Sequence, residues 1–489
     1  MTAPEMTAPA SGAKVRMYRQ GLGDCFLLAF PPDRGARPRF VLIDCGVLLG
    51  TPRAKEMMRR VVEHIAKATG GRIDLLVATH EHWDHLSGFD QARELFDALA
   101  IGEVWVAWTE DPEDEVARDL GQQRAVALRA LHAAVRRLRA NGDEDSRQSA
   151  AELAPLLGFF GDLGLDGQAT GIRGAMDYVV GRGKPPRYRT PGEDPLPLPG
   201  VPGARVYVLG PPKEKEYLRR SNPRAGEAYE ARLTLDEATA FAAAVLRAHE
   251  KAGALTMSPD EKALAELSFP FERAFRVPLA EARRDRFFRD LYYGKRSAAE
   301  PSWRSIEADW LGAASALALK LDSDTNNTSL ALAIELIPSG KVLLFPGDAQ
   351  AGNWRSWHAL QWPREEDPDN PVTAAELLGR TVLYKVGHHA SHNATLRGQG
   401  LELMTHPELV AVIPVDEEMA HKPKGGSPKG WDMPFPPLLK ALQERTDGRV
   451  IRVDKGMPSK PKKVPAAEWK RFEQRCIEHE LYVEITVDE

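Results

Sequence analysis

The chain has 489 residues, of which 43% are hydrophobic and 28% charged, a composition that suits a folded globular protein and excludes a disordered or collagen-like one. That length exceeds one typical domain, so several domains or one core with large insertions are expected. A formal net charge of −5 excludes a surface that grips nucleic acid everywhere, although a local basic groove stays open.

No apolar run reaches the roughly 18 residues of a membrane span, and residues 1–14 lack the apolar core of a signal peptide. They read as a disordered lead-in. The odd set Cys25, Cys45 and Cys476 fits a reducing compartment better than a disulfide framework, and the expected location is cytoplasmic.

In chain order, strands are expected at Val15–Tyr18, Cys25–Phe30 and Phe40–Ile43, an opening β-meander that runs into Asp44-Cys45-Gly46. Met58, Val61, Val62 and Ile65 recur at helical spacing within Lys55–Ala68, and Gly70-Gly71 supplies the stop. A strand at Ile73–Ala78, a polar loop, a helix at Phe89–Leu99 and a strand at Glu103–Ala107 then make a β-α-β succession. The loop therefore sits at a strand's carboxyl end, where α/β folds bind ligands.

Arg124–Arg139 places Leu128, Leu131, Val135 and Leu138 on one helical face and reads as an inserted helix. The uncharged strand Val206–Leu209 precedes a second helical block at Leu235–Ala252, Ser258–Phe275 and Leu279–Tyr293. Short apolar strands resume at Ser329–Leu336, Val342–Phe345, Thr381–Val386, Val410–Pro414 and Val450–Val453. A Pro/Lys linker at Lys455–Lys463, a helix at Ala466–Cys476 and a strand at Leu481–Val487 close the chain.

Thr79-His80-Glu81-His82-Trp83-Asp84-His85 packs four potential metal ligands into six positions of the polar loop. Imidazole and carboxylate together suit zinc, manganese or iron. Asp348 follows the strand Val342–Phe345 and a Pro-Gly turn, and His388-His389 follow Thr381–Val386, so all of these groups leave strands at the same end.

His-x-His-x-Asp-His after an apolar strand, with Asp44-x-Gly46 ahead of it, resembles the signature of the metallo-β-lactamase superfamily. Gly21-x-Gly23-Asp24, Asn326-Asn327-x-Ser329, Pro346-Gly347-Asp348 and Val386-Gly387-His388-His389-Ala390-Ser391 resemble, in the same order, the hydrolase domain of the DNA-uptake competence protein ComEC and its stand-alone relatives. The resemblance implies an α/β fold, the αββα sandwich, with core segments at 15–110, 204–212 and 322–454. Large helical insertions at 111–203 and 213–321 and a small C-terminal extension at 455–489 would lie outside it.

It further implies two divalent cations, zinc first and manganese second, bridged by Asp348 and by a hydroxide that serves as nucleophile. His80 and His82 would hold one cation, and Asp84, His85 and His389 the other. The choice between His388 and His389 leans to His389, because Ala390 stands where the family has glycine; the other histidine is a candidate general acid. His421, after Val410–Pro414, matches a position whose histidine faces the site, and a catalytic role stays open against a plain loop role.

Asp44 is expected to orient ligands or simply to end its strand, and Asn326, Asn327 and Ser329 to tie a loop through backbone hydrogen bonds. His392 reads as a loop hydrogen-bonding group. Many relatives carry a further histidine in the middle of the chain, where this one offers His132 and His249 inside helical patterns and Leu209-Gly210-Pro211 at the matching place.

The substrate implied is a phosphodiester, nucleic acid or smaller, with a non-nucleic-acid ester or lactone as the alternative. A weakly active scaffold that meets a protein partner or a second copy through the helical insertions is the reading from another class. The run Arg283–Arg296 interleaves cations with aromatics as single-strand binders do, but an amphipathic helix with its aromatics in a core is favoured.

Overall fold

The computed structural model describes residues 3–141, 144–161, 171–218, 277–290, 313–422 and 430–488, apart from positions 34, 36, 184, 283, 365, 366 and 368, with isolated residues between 256 and 262. The expected helices at Leu235–Ala252 and most of Ser258–Phe275, with His249, lie outside the described residues. No described helix is long and apolar enough to cross a membrane.

Strands β1 (Ala13–Tyr18), β2 (Cys25–Phe30), β3 (Arg39–Cys45), β4 (Arg72–Ala78), β5 (Ala100–Ala107) and β6 (Arg187–Arg189) form most of one mixed sheet. β1, β2 and β3 are antiparallel neighbours, and β3 to β6 run parallel. Between β3 and β4 runs helix α1 (Ala54–Thr69), whose Met58, Val61, Val62 and Ile65 are buried as their spacing requires. Gly70 ends it in the left-handed region, and Gly71 N–H returns to Ala66 O at 2.9 Å.

The second sheet contains β7 (Leu196–Leu198), β8 (Val201–Gly210), β9 (Ala331–Leu336) and β10 (Lys341–Phe345). A two-stranded ribbon, β11 (Gln361–Trp362) and β12 (Val372–Thr373), interrupts the order before β13 (Thr381–Lys385), β14 (Val410–Ile413) and β15 (Val450–Arg452). β10, β13, β14 and β15 are parallel. Alternate side chains of both sheets, among them Phe26, Leu75, Ile334 and Phe345, share one buried cluster. Phe26 meets Phe345 edge-on at 5.5 Å.

The C-terminal segment is woven into the first sheet. β16 (Cys476–Glu478) pairs with β17 (Tyr482–Val487), and β17 pairs with β1 along its length, with Arg16 bonded to Glu484 at 2.8 Å. Residues 3–12, read from sequence as a disordered lead-in, run beside the end of α1. Met6 is buried, and its N–H reaches Ala68 O at 3.0 Å.

Two helices depart from their expected limits. The one placed at Phe89–Leu99 begins earlier, as α2 (Trp83–Gln91), and a separate turn covers Arg93–Asp97. Gly88 makes this possible, since a Cβ there would stand 2.7 Å from Cys45 O. Within Leu279–Tyr293, the described part is two short turns, because the Asp285 side chain accepts from Phe287 and Phe288 N–H and starts a new one. Phe287 is 57% and Phe288 37% exposed, so the favoured burial of these aromatics is corrected.

Helices α3 (Glu115–Asn141), α4 (Glu144–Leu157) and α5 (Ile172–Arg182) fill much of the interval read as the first insertion. α6 (Ala313–Asn326) packs against α3 and α4 and leads into β9.

Glu335 on β9 accepts from Arg205, from Arg380 at 2.5 Å and from Tyr207 at 3.0 Å. Burial pushes its carboxyl up, but the two guanidinium groups outweigh that and hold it below the usual value. Glu335→Gln should lower the unfolding free energy by about 1–3 kcal/mol at pH 7. The difference from wild type should fade as acid protonates the carboxylate below its usual range. Urea titrations at pH 7 and pH 4 check this, and equal stabilities at pH 7 would count against it.

Candidate metal centre

The parallel strands deliver their carboxyl ends to one edge. Asp44 is the next-to-last residue of β3, His80 follows β4, Asp348 follows β10, and His388 and His389 follow β13. Asp84 and His85 lie in the first turn of α2, with His82 as its N-terminal boundary residue. All of these side chains are buried.

Asp44 organises the first half. In a left-handed conformation that Asp tolerates better than most residues (φ 54), its two oxygens accept from Thr79 N–H at 2.8 Å and Thr79 Oγ1 at 2.7 Å. It also meets His85 Nδ1 at 2.7 Å. Since a carboxylate only accepts, His85 Nδ1 carries a proton and Nε2 points inward, 3.2 Å from Asp348 Oδ2 and 3.6 Å from Asp84 Oδ2. Gly23 and Gly46 let the β2 and β3 ends press on α2, because a Cβ on either would lie within 2.6 Å of Asp84 O.

Pro414 O fixes His389 in the same way, by accepting from its Nδ1 at 2.7 Å, which turns Nε2 to Asp84 Oδ2 at 2.7 Å. Asp84, His85, Asp348 and His389 each present a ligand atom within 4.8 Å of the others. His388 does not join them. Its ring faces Ser391 Oγ at 2.7 Å, Gln350 and Asn393, while its N–H donates to Asp348 Oδ1 at 2.7 Å. His388, His389 and Ala390 all have positive φ (44°, 50° and 62°), which explains why glycine suits the last position.

His80 and His82 stand beside this group, with His80 Nε2 and His82 Nδ1 3.1 Å apart. His421 ends a short helix, Glu417–His421, and is exposed, outside the buried cluster. The Asp416 side chain caps that helix at Met419 N–H, which carries the chain end toward solvent. His392 is exposed, and His132 lies within α3.

Asn327 and Ser329 tie the β9 loop as expected: Asn327 Oδ1 accepts from Gln350 N–H, and Ser329 Oγ accepts from Asp348 N–H at 3.0 Å. Gly347 closes this turn in the left-handed region, and a Cβ on it would stand 2.9 Å from the Ser329 side chain.

Two residues of the site escaped the sequence reading. Lys385, the last residue of β13, is wholly buried, with Nζ 2.5 Å from Asp24, 2.8 Å from Asp348 Oδ1 and 2.7 Å from Gly347 O. These three acceptors use its three protons. The signal was a lysine inside the apolar run Val382–Val386, which the strand pattern absorbed. The other is Asp322 on α6, whose Oδ1 lies 3.8 Å from His82 Nε2.

The electrostatics follow from this packing. Burial pushes Asp348 up, but Lys385 and His85 outweigh it and hold the carboxyl well below its usual range. Asp84 is held down against its own burial by His85 and His389. Burial lowers His85, yet Asp348, Asp24, Asp84 and Asp44 lift it well above its usual value. For His82 and His388 burial outweighs Asp84 and Asp348, taking His82 down to about 3 and His388 to about 4. Burial therefore favours the neutral form of His388.

This donor set fits a divalent cation. Imidazole nitrogen and carboxylate oxygen are the groups that hold zinc and manganese. Asp84 Oδ1 and His85 Nε2 are buried with no hydrogen-bond partner, an expensive condition that a cation would relieve. Residues 36–168 match the family model of the metallo-beta-lactamase superfamily. The match supports that superfamily and takes in β3, β4 and the whole histidine loop. No curated protein matches the chain.

Lys385→Met would leave Asp24 and Asp348 buried without the ammonium they share, at a cost of about 3–5 kcal/mol. Thermal unfolding in chelator should fall accordingly. Added zinc should recover part of the loss, since it would neutralise Asp348; equal melting temperatures of variant and wild type in chelator would contradict this.

Proposed function

We propose that the protein is a metal-dependent hydrolase of phosphodiester bonds, in nucleic acid or a smaller diester. The observation that carries the metal-dependent part is the convergence of Asp84, His85, Asp348 and His389 within 4.8 Å at the carboxyl ends of parallel strands. In this reading the two facing sheets and their outer helices make the αββα sandwich. His80 and His82 would hold one cation, and Asp84, His85 and His389 the other, with Asp348 shared.

Bound there, divalent cations make water a nucleophile near neutral pH and offset charge on the attacked oxygen. The chain's own work is positioning. Asp44 and Pro414 O each accept a hydrogen bond from Nδ1–H, so that His85 and His389 both aim Nε2 at one point. Lys385 and His388 N–H occupy Asp348 Oδ1, which leaves Oδ2 facing His85 and His389. Phe160, edge-on to His82 at 4.9 Å, and Phe159 keep that side apolar.

The phosphodiester assignment rests on the competence-type motifs. Asp24, Asn327, Ser329 and Asp348, which belong to three separate stretches of sequence, are joined directly or through Lys385 and Gln350 around the one centre.

The test is metal content by elemental analysis of protein purified without chelator. It is paired with cleavage of bis-p-nitrophenyl phosphate, single-stranded DNA and duplex DNA, with Asp348→Ala as control. About two metals per chain and diester cleavage that falls at least a hundredfold in the variant are expected. Cleavage of a lactone or carboxylic ester alone would move the substrate class, and less than one metal with no activity in zinc or manganese would overturn the reading.

A further inference from the structure

We propose that Asp322 sets the tautomer of His82 by accepting the proton on Nε2, so that Nδ1 offers its lone pair beside His80 Nε2. The inference rests on the metal-centre reading and assigns a positioning residue that the motifs do not contain.

The argument starts at Thr79. Its hydroxyl has one proton, which goes to Asp44 Oδ2 at 2.7 Å, because a carboxylate only accepts. Thr79 Oγ1 must then accept from His80 Nδ1, 3.1 Å away. A neutral His80 therefore carries its proton on Nδ1 and presents a lone pair at Nε2, the atom 3.1 Å from His82 Nδ1.

The His82 ring holds one proton and can spend it in two ways. On Nδ1 it bonds to His80 Nε2, and the two rings share a hydrogen bond. On Nε2 it leaves two lone pairs facing each other at 3.1 Å, which is repulsive unless a cation lies between them. The second arrangement is the one that binds metal, and it needs an acceptor for Nε2–H.

Burial and the charges of Asp84 and Asp348 push the Asp322 carboxyl well above its usual range; cations bound at the centre would offset those two charges, and Asp322 then supplies that acceptor. His82 Nε2 and Asp322 Oδ1 are both buried, both without a hydrogen-bond partner, and 3.8 Å apart. The separation is too long for a hydrogen bond, and closing it by about 1 Å makes one. The other Asp322 oxygen is held by Asn326 Nδ2 at 3.3 Å, which leaves Oδ1 for the ring. Phe159 and Phe160 flank His82 and offer no acceptor of comparable strength. Carboxylates that receive the second N–H of a ligating histidine fix its tautomer and raise its basicity.

The experiment uses the full chain with histidines labelled with ¹⁵N, zinc as the probe, and the variants Asp322→Ala and Asp322→Asn. In the zinc-loaded wild type, the His82 signals, assigned by their loss in His82→Gln, should show a protonated Nε2 and an unprotonated Nδ1. Competition with a chromophoric chelator should show one zinc weakened about 10–100-fold in Asp322→Ala. The second zinc should be unchanged, and Asp322→Asn should recover part of the loss because its amide oxygen still accepts.

A proton on His82 Nδ1 in the zinc-loaded wild type, or wild-type affinity for both zincs in both variants, would overturn the assignment and leave the metal centre standing. A wild type that binds no zinc would overturn the assignment and the metal centre together. The tautomer measurement needs no Asp322 variant, so it decides even if Asp322→Ala does not fold.

Discussion

The ammonium group of Lys385 holds the two halves of the site together. It comes from the second sheet, takes Asp348 from a turn of that sheet and Asp24 from the end of the first sheet, and is fully enclosed. Burying three charges in this way adds little net stability compared with apolar packing, and its value lies in geometry. With all three protons of Lys385 engaged, Asp348 cannot rotate without stranding a charge. The inward oxygen is therefore fixed before any ligand arrives.

The same economy recurs around the site. Each buried histidine spends one nitrogen on an acceptor that belongs to the scaffold. His85 spends it on Asp44, His389 on Pro414 O and His80 on Thr79. The other nitrogen is thereby defined as the working one. His82 is the exception, because its outer nitrogen faces Asp322 across a gap too long for a hydrogen bond. The interval read as an insertion also reaches the site: Phe159 and Phe160 pack on His82, and a Cβ on Gly161 would strike Trp83 at 2.8 Å.

Much of the scaffold was legible in sequence because its signals are local. Short, mostly apolar stretches fell on β2, β4, β10 and β13, and α1 kept both its face and its glycine stop. The histidine loop was visible because metal-binding side chains are dense there. What the sequence hid was non-local or masked by pattern. Lys385 alternates within a strand like any other residue, and Asp322 sits in a helix like any solvated acid. Only the fold brings them against His82, Asp24 and Asp348. The choice between His388 and His389 likewise needed the left-handed backbone that turns one ring in and the other aside.

The central claim is that Asp84, His85, Asp348 and His389 are built to surround a cation. Anomalous diffraction at the zinc edge from crystals grown with zinc tests it most directly. The account requires a peak about 2.0–2.2 Å from a ligand atom of each of the four residues. A map with no peak there, or with zinc bound only at exposed histidines such as His421, would contradict it.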